Sequence, residues 1–119
     1  METNKRKQVY NKYKGRCAYC GDKIEYKDMQ IDHIKPKHLG GKDEMDNYMP
    51  SCRACNFYKQ TFSLEDFRKR LKTIPKRLEK NLIYRLAKKY GFVRQLDYGV
   101  WFWFERVEYE KSHPEEDWA

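Results

Sequence analysis

The 119-residue sequence predicts an α+β fold of short strands and several helices in one domain. Three observations predict it: two paired cysteine motifs, one stretch that alternates apolar and polar residues, and several stretches with apolar residues at helical spacing. Lys and Arg number 26 against 18 Asp and Glu, a net charge of +8. Because so small and charged a chain buries limited apolar area, we expect a metal or disulfides to stabilise it.

The composition also excludes several classes of protein. No run of about 18 apolar residues exists, so we expect no transmembrane helix and no membrane partner. The basic first residues lack the apolar stretch of a secretory signal, so we expect the cytoplasm, or the host cytoplasm if a phage encodes the chain. Nineteen aromatic residues argue against a disordered chain.

The four cysteines form two pairs with the same spacing, Cys17-x-x-Cys20 and Cys52-x-x-Cys55. Structural disulfides are rare in the reducing cytoplasm, so the pairs predict one tetrahedral zinc site rather than four unrelated thiols. Gly21 allows the left-handed turn that such a cysteine knuckle often needs. Zinc binding would contribute on the order of 10 kcal/mol to folding.

The first half of the chain predicts a helix, a strand, a long loop and a second helix. Apolar residues share a helical face over residues 4–14. Residues 29–34 mostly alternate apolar and polar, which is typical of a half-buried strand. Proline, paired glycines and charges predict a loop over residues 35–43, and a short helix is expected over residues 53–60.

The second half predicts two helices, an aromatic strand and an acidic tail. Ser63 and Leu64 begin a helix that Ile74–Pro75 ends. A second apolar stripe then runs from Leu78 to Tyr90. Residues 100–104, which read Val-Trp-Phe-Trp-Phe, predict a buried strand or an interface strand. We expect a core over about 13–60, an extension over 61–110 and a frayed tail over 111–119.

Candidate catalytic residues lie between the two cysteine pairs. Asp32 and His33 are adjacent on the predicted strand, so their side chains point to opposite faces. A metal ion held by Asp32 and by the following helix would let both act on one substrate atom, and Asn56 lies on that helix. Carboxylate and amide oxygens suit Mg²⁺ or Mn²⁺. His33 is then free to act as a general base on water.

These residues, in this order, resemble the HNH nuclease family and its ββα-metal core. The resemblance covers about residues 13–60, and both Asn47 and Asn56 stand at family-like spacing from His33. The residues that carry it are Cys17, Cys20, Ile31-Asp32-His33-Ile34-x-Pro36, Gly40, Gly41, Asn47, Cys52, Cys55, Asn56 and Lys59.

The resemblance implies a metal-dependent endonuclease that leaves a 5′-phosphate and a 3′-hydroxyl. It implies that His33 is the general base, that Asp32 and Asn56 bind the catalytic ion, and that Asn47 braces the strands and orients His33. Many members carry His where this chain has Asn56, so the chain is an HNN variant, which favours Mg²⁺ or Mn²⁺. Lys59, one helical turn after Asn56, either contacts a phosphate near the ion or lies on the helix surface.

The basic residues predict contact with the DNA backbone. Lys35, Lys37 and Arg53 flank the motif, and residues 66–91 hold ten basic and two acidic residues. No element is typical of a base-specific reader, so we expect low sequence selectivity. The aromatic strand is a candidate homodimer interface, through which two one-strand cutters would break both strands.

Two other functions are compatible with the sequence. The chain could be a non-catalytic, zinc-stapled nucleic-acid-binding module, or a protein-interaction module that uses the aromatic strand and the acidic tail. The set of Asp32, His33, Asn47 and Asn56 favours the nuclease, because binding alone does not need it. His38 is expected in solvent, and His113 has no assigned role.

Overall fold

A computed structural model describes residues 3–97 and 99–115 of the chain. The described residues form six α-helices, three short 3-10 helices and one two-stranded antiparallel sheet. The elements are α1 (Thr3–Lys12), β1 (Gln30–His33), β2 (Tyr48–Ser51), α2 (Arg53–Lys59), α3 (Leu64–Lys72), α4 (Ile74–Leu78), α5 (Leu82–Lys89) and α6 (Trp103–Ser112). None of these helices is both long enough and apolar enough to cross a membrane.

The chain divides into two compact units, and the first takes its residues from both ends of the chain. One unit combines residues 1–64 with 101–119, and the other holds residues 65–100. The segment 61–110, which the sequence suggested as one extension, is therefore shared between the two units. The last four residues of the predicted acidic tail lie outside the described residues.

The sheet and α2 form the predicted strand–strand–helix core. In the antiparallel register Asp32 pairs with Met49 and His33 pairs with Tyr48. Cys52 caps the N-terminus of α2, where its sulfur accepts a hydrogen bond from the Cys55 backbone N–H at 3.4 Å. The helix contacts β1, which brings the residues after the second cysteine pair against the strand that carries Asp32.

The first cysteine knuckle is fixed to β2 and to α6. The backbone N–H of Ala18 donates to the Pro50 carbonyl at 2.8 Å. Gly21 has the predicted left-handed backbone (φ 83°), and a Cβ there would lie 2.9 Å from the Trp103 ring. A side chain at this position would therefore strain the turn and collide with α6.

The predicted C-terminal aromatic strand is wrong, because this stretch leads into α6. The Glu105 side chain accepts a hydrogen bond from the Phe102 N–H at 3.0 Å, which caps the helix. Phe102 and Phe104 are buried, with ring centroids 5.5 and 6.3 Å from that of Tyr19. This chain's own core therefore covers both rings, whereas Trp101 of the same stretch is 54% exposed, and the homodimer interface stays a prediction.

The second unit contains α4, α5 and most of α3. The apolar stripe from Leu78 to Tyr90 is not one helix, because the chain breaks at residues 79–81 and Asn81 caps α5 by accepting from the Tyr84 N–H at 3.1 Å. Leu82 and Ile83 are 58% and 72% exposed. The helical spacing was thus predicted, whereas the break in the chain after Leu78 was not.

Candidate active site and metal centre

The four cysteine sulfurs converge at one point in the first unit. All four lie within 4.8 Å of one another, and the Cys20 and Cys52 sulfurs are 3.9 Å apart. Around a tetrahedral zinc ion with bonds of about 2.3 Å, sulfurs lie about 3.8 Å apart. The four cysteines are therefore positioned to bind a structural metal, and an all-sulfur set of this size fits zinc.

The clustered thiols perturb one another's ionisation. A hydrogen bond between the Cys17 and Cys55 sulfurs lowers the pKa of Cys17 to about 4 and raises the pKa of Cys55. Burial raises the pKa of Cys20 to about 12. The Cys17 thiolate is thus favoured while the Cys20 and Cys55 thiols stay protonated, and a divalent cation bound by these sulfurs would displace their protons.

Asp32 is buried in the middle of β1, with one carboxylate oxygen saturated. Its Oδ2 accepts a short hydrogen bond from the Tyr19 hydroxyl and lies 2.9 Å from the Lys59 ammonium. Burial, reinforced by the Asp32 charge, raises the pKa of Tyr19, so this hydroxyl stays protonated and donates. Oδ1 makes no hydrogen bond within the described part of the chain, which leaves it to bind a cation.

Lys59 lies in the interior, which is neither of the two alternatives that the sequence offered. Its side chain is fully buried, and its ammonium donates to the His33 carbonyl at 3.0 Å as well as pairing with Asp32. The ammonium is therefore directed at β1 rather than at a phosphate near the ion or at the helix surface. A cation buried this completely stabilises the fold only while its carboxylate partner remains.

His33 lies on the other face of β1, where an acidic partner meets it. Its Nε2 is 2.7 Å from Oδ1 of Asp43, and its ring stands edge-on to Tyr48 at a centroid distance of 5.3 Å. The second oxygen of Asp43 pairs with the Lys37 ammonium at 2.9 Å. These hydrogen bonds, from His33 first and then Lys37, lower the pKa of Asp43 and keep it ionised at neutral pH.

Asn47 closes the loop between the two strands. Its Oδ1 accepts from the Lys35 N–H at 2.9 Å, while its Nδ2 donates to the carbonyls of Lys35 and Lys42 at 2.9 and 3.0 Å. The amide therefore bridges the start and the end of the loop. Its side chain thus bonds to the loop backbone and not to the His33 ring, and its predicted role in bracing the strands stays a prediction.

One open cleft of about 380 Å³ brings Asp32 and His33 together. Lys37, Gln60 and Thr61 also line it. Asn56 does not line the cleft. It is half-buried on α2, on the same helical face as Lys59, and its side-chain amide makes no hydrogen bond with any described residue. The structure thus unites the carboxylate and the imidazole, while the second predicted oxygen ligand stands outside the cleft lining.

The remaining predicted residues are exposed. Lys35 and Lys37 lie in the loop beside the cleft, and Arg53 is at the start of α2, 3.6 Å from Asp28. His38 is exposed as expected, but it lines the cleft. The His113 ring stacks on Tyr109 at 3.9 Å.

Sequence reasoning missed four residues of this site: Tyr19, Asp43, Gln60 and Thr61. Tyr19 carries a weak signal, because it lies inside the first cysteine pair and must face whatever the knuckle packs against. Asp43 is one of several charged residues in its loop and has no distinguishing signal. Gln60 and Thr61 follow α2, and Gln60 turns the chain there with an uncommon positive φ of 53°.

Comparison with known proteins agrees with these observations. The family model for HNH endonucleases matches residues 17–61. The match begins at the first cysteine and includes every residue described above as part of the cleft or the sulfur cluster. It confirms the resemblance to the HNH nucleases over that segment. No curated protein matches the chain.

Proposed function

We propose that this chain is a metal-dependent endonuclease that hydrolyses DNA phosphodiester bonds. The observation that carries the proposal is the shared cleft of Asp32 and His33, two adjacent residues on opposite faces of one strand. Phosphodiester hydrolysis needs a base for the attacking water and positive charge near the phosphate. The imidazole supplies the first, and the carboxylate is suited to recruit the second.

In this proposal His33 is the general base. Its imidazole takes a proton from water as the water oxygen bonds to phosphorus, and the bond from phosphorus to the 3′ oxygen breaks. The 3′ oxygen then takes a proton from solvent, so the products carry a 5′-phosphate and a 3′-hydroxyl. His33 returns its proton to solvent before the next turnover.

Asp32 through Oδ1, with Asn56 as a second oxygen donor, would hold Mg²⁺ or Mn²⁺. The donor chemistry fits, since both side chains offer oxygen and Oδ1 has no other partner among the described residues. When bound, the ion would neutralise charge on the scissile phosphate and on the leaving oxygen. Tyr19 and Lys59 serve this site by fixing Oδ2, which stops the carboxylate from rotating.

The exposed basic residues would supply contacts to the DNA backbone. Lys37 lines the cleft, Lys35 lies in the same loop, and Arg53 begins α2. Residues 66–91 of the second unit add a net charge of +8. Contacts to phosphate position a duplex without reading its sequence. We therefore propose low sequence selectivity and an affinity that depends strongly on salt.

Nicking of supercoiled plasmid tests the activity. We expect the wild type to cut in Mg²⁺ or Mn²⁺ and to stop when EDTA is added. His33→Ala should keep its zinc and its DNA affinity but lose cutting by about 100-fold or more, the usual contribution of a general base. His113→Ala is the matched control, since its ring stacks on Tyr109 in the C-terminal segment.

The second candidate, a zinc-stapled module that binds nucleic acid without cutting it, makes a different prediction. It expects DNA binding by the wild type with no product in either ion. Equal cutting by His33→Ala and the wild type would instead leave the nuclease in place but reject this residue as its base.

A further inference from the structure

A single acidic side chain, Asp43, contacts the proposed general base from the loop between β1 and β2. We propose that Asp43 is a positioning residue that orients the His33 imidazole and fixes its tautomer, with the proton on Nε2 and the lone pair on Nδ1. This inference rests on the proposed role of His33. Under this inference, Nδ1 is the atom that accepts the proton from the attacking water.

The tautomer follows from what a carboxylate can do. An ionised carboxylate only accepts hydrogen bonds, so the nitrogen 2.7 Å away must donate. The lowered pKa of Asp43 keeps it in this form at neutral pH. Nδ1 of His33 has no hydrogen-bond partner among the described residues, so it is the nitrogen that remains for a water molecule.

The ring is held at two points, which limits its rotation. The contact to Asp43 fixes the Nε2 end, and the edge-on contact with Tyr48, 87° between the ring planes, fixes the ring's tilt. An aromatic contact alone would leave both tautomers populated. The carboxylate is therefore the group that selects between them.

The loop keeps Asp43 in place through its neighbours. Asn47 donates to the carbonyl of Lys42, the residue just before Asp43, at 3.0 Å. At Gly41 a Cβ would lie only 1.7 Å from the Lys35 carbonyl oxygen, so the backbone there is too tight for any side chain. Asn47 thus orients His33 indirectly: it holds the loop, and the loop presents Asp43.

The rival interpretation is that Asp43 merely forms a surface ion pair with Lys37. Exposed pairs of this kind contribute little to stability and nothing specific to catalysis. On that interpretation, removing the carboxylate frees Lys37 for phosphate and lowers KM while kcat stays unchanged. The positioning role predicts the opposite split, a fall in kcat with little change in KM.

The test compares plasmid nicking by the wild type, Asp43→Ala, Asp43→Asn and Glu44→Gln. Glu44 is the control, because it is the adjacent exposed carboxylate and its side chain makes no hydrogen bond or ion pair with a described residue. We expect Asp43→Ala to lower kcat about 10- to 100-fold, a part of what a general base contributes, with KM within about two-fold. Asp43→Asn, which keeps an acceptor oxygen, should retain more activity than Asp43→Ala.

Nitrogen-15 NMR of the histidine rings gives a readout independent of turnover. We expect His33 in the wild type to show a protonated Nε2 and an unprotonated Nδ1, and in Asp43→Ala to show a mixture of tautomers. An unchanged signature, or wild-type kcat in Asp43→Ala, overturns the inference. If Asp43→Ala cuts normally while His33→Ala does not, only the inference fails; if the wild type cuts in neither ion, the proposed function fails with it.

Discussion

Replacing Lys59 with methionine, which has a similar length and no charge, removes one half of the buried ion pair. The Lys59 side chain is 0% exposed and that of Asp32 is 7% exposed, with 2.9 Å between ammonium and Oδ2. Removing one partner of such a pair leaves an uncompensated charge and costs about 3–5 kcal/mol. Small domains have an unfolding free energy of about 5–15 kcal/mol, so this is a large fraction of the total.

The double variant Lys59→Met with Asp32→Asn separates the charge from the packing. It leaves no buried charge in this position, so it should be more stable than Lys59→Met alone. The difference between the double variant and the sum of the single variants measures the coupling of the pair. Asp32→Asn alone should also be destabilising, since it leaves the buried ammonium without its carboxylate.

Urea unfolding with zinc at saturation, followed by tryptophan fluorescence, measures these free energies. Lys27→Met is the control, because Lys27 and Glu25 are 3.8 Å apart and 78% and 76% exposed, and such surface pairs contribute about 0–1 kcal/mol. If Lys59→Met proves as stable as Lys27→Met, the buried pair does not have the energetic role that its geometry implies.

Three further outcomes are expected. Cys52→Ser should lose bound zinc and unfold, as shown by metal analysis and circular dichroism; a folded variant with full zinc would rule out the four-sulfur site. Tyr19→Phe removes only the hydroxyl that holds Asp32, so it should cost about 1 kcal/mol of stability and weaken Mn²⁺ binding measured by calorimetry; unchanged Mn²⁺ affinity would remove Tyr19 from the site. DNA affinity should fall steeply with salt, and Arg53→Ala should reduce the slope of log K against log salt by about 1, whereas a salt-independent affinity would argue against phosphate contacts.

The sequence was sufficient wherever one residue type and a short spacing determine the structure. Each C-x-x-C pair predicts its own turn, and the sulfur cluster confirms that the pairs converge. The strand around Asp32 and the helix that begins at Arg53 were likewise predicted, and the alternation that predicts the strand is a local signal.

The parts that were missed depend on contacts between distant residues. The stretch from Val100 to Phe104 is apolar throughout and has no period, so only its contacts with Tyr19 and the Glu105 cap decide that it leads into a helix. Asp43 contacts His33 because the loop between β1 and β2 folds back onto β1. No sequence pattern around Asp43 predicts this contact. Lys59 was expected near the surface because lysine usually is; its burial depends on Asp32, which lies on another element.

The link between α6 and the first knuckle means that the zinc-binding unit is discontinuous along the chain. The N–H groups of Trp103 and Phe104 donate to the carbonyls of Tyr19 and Ala18 at 3.0 and 2.8 Å. A fragment that ended at residue 64 would keep every cysteine and the whole family-matched segment. It would lack Phe102 and Phe104, whose rings pack against Tyr19. Helix α6 thus covers the first cysteine knuckle, and truncation from the C-terminus would weaken the support of Asp32 although no residue of the cleft is removed.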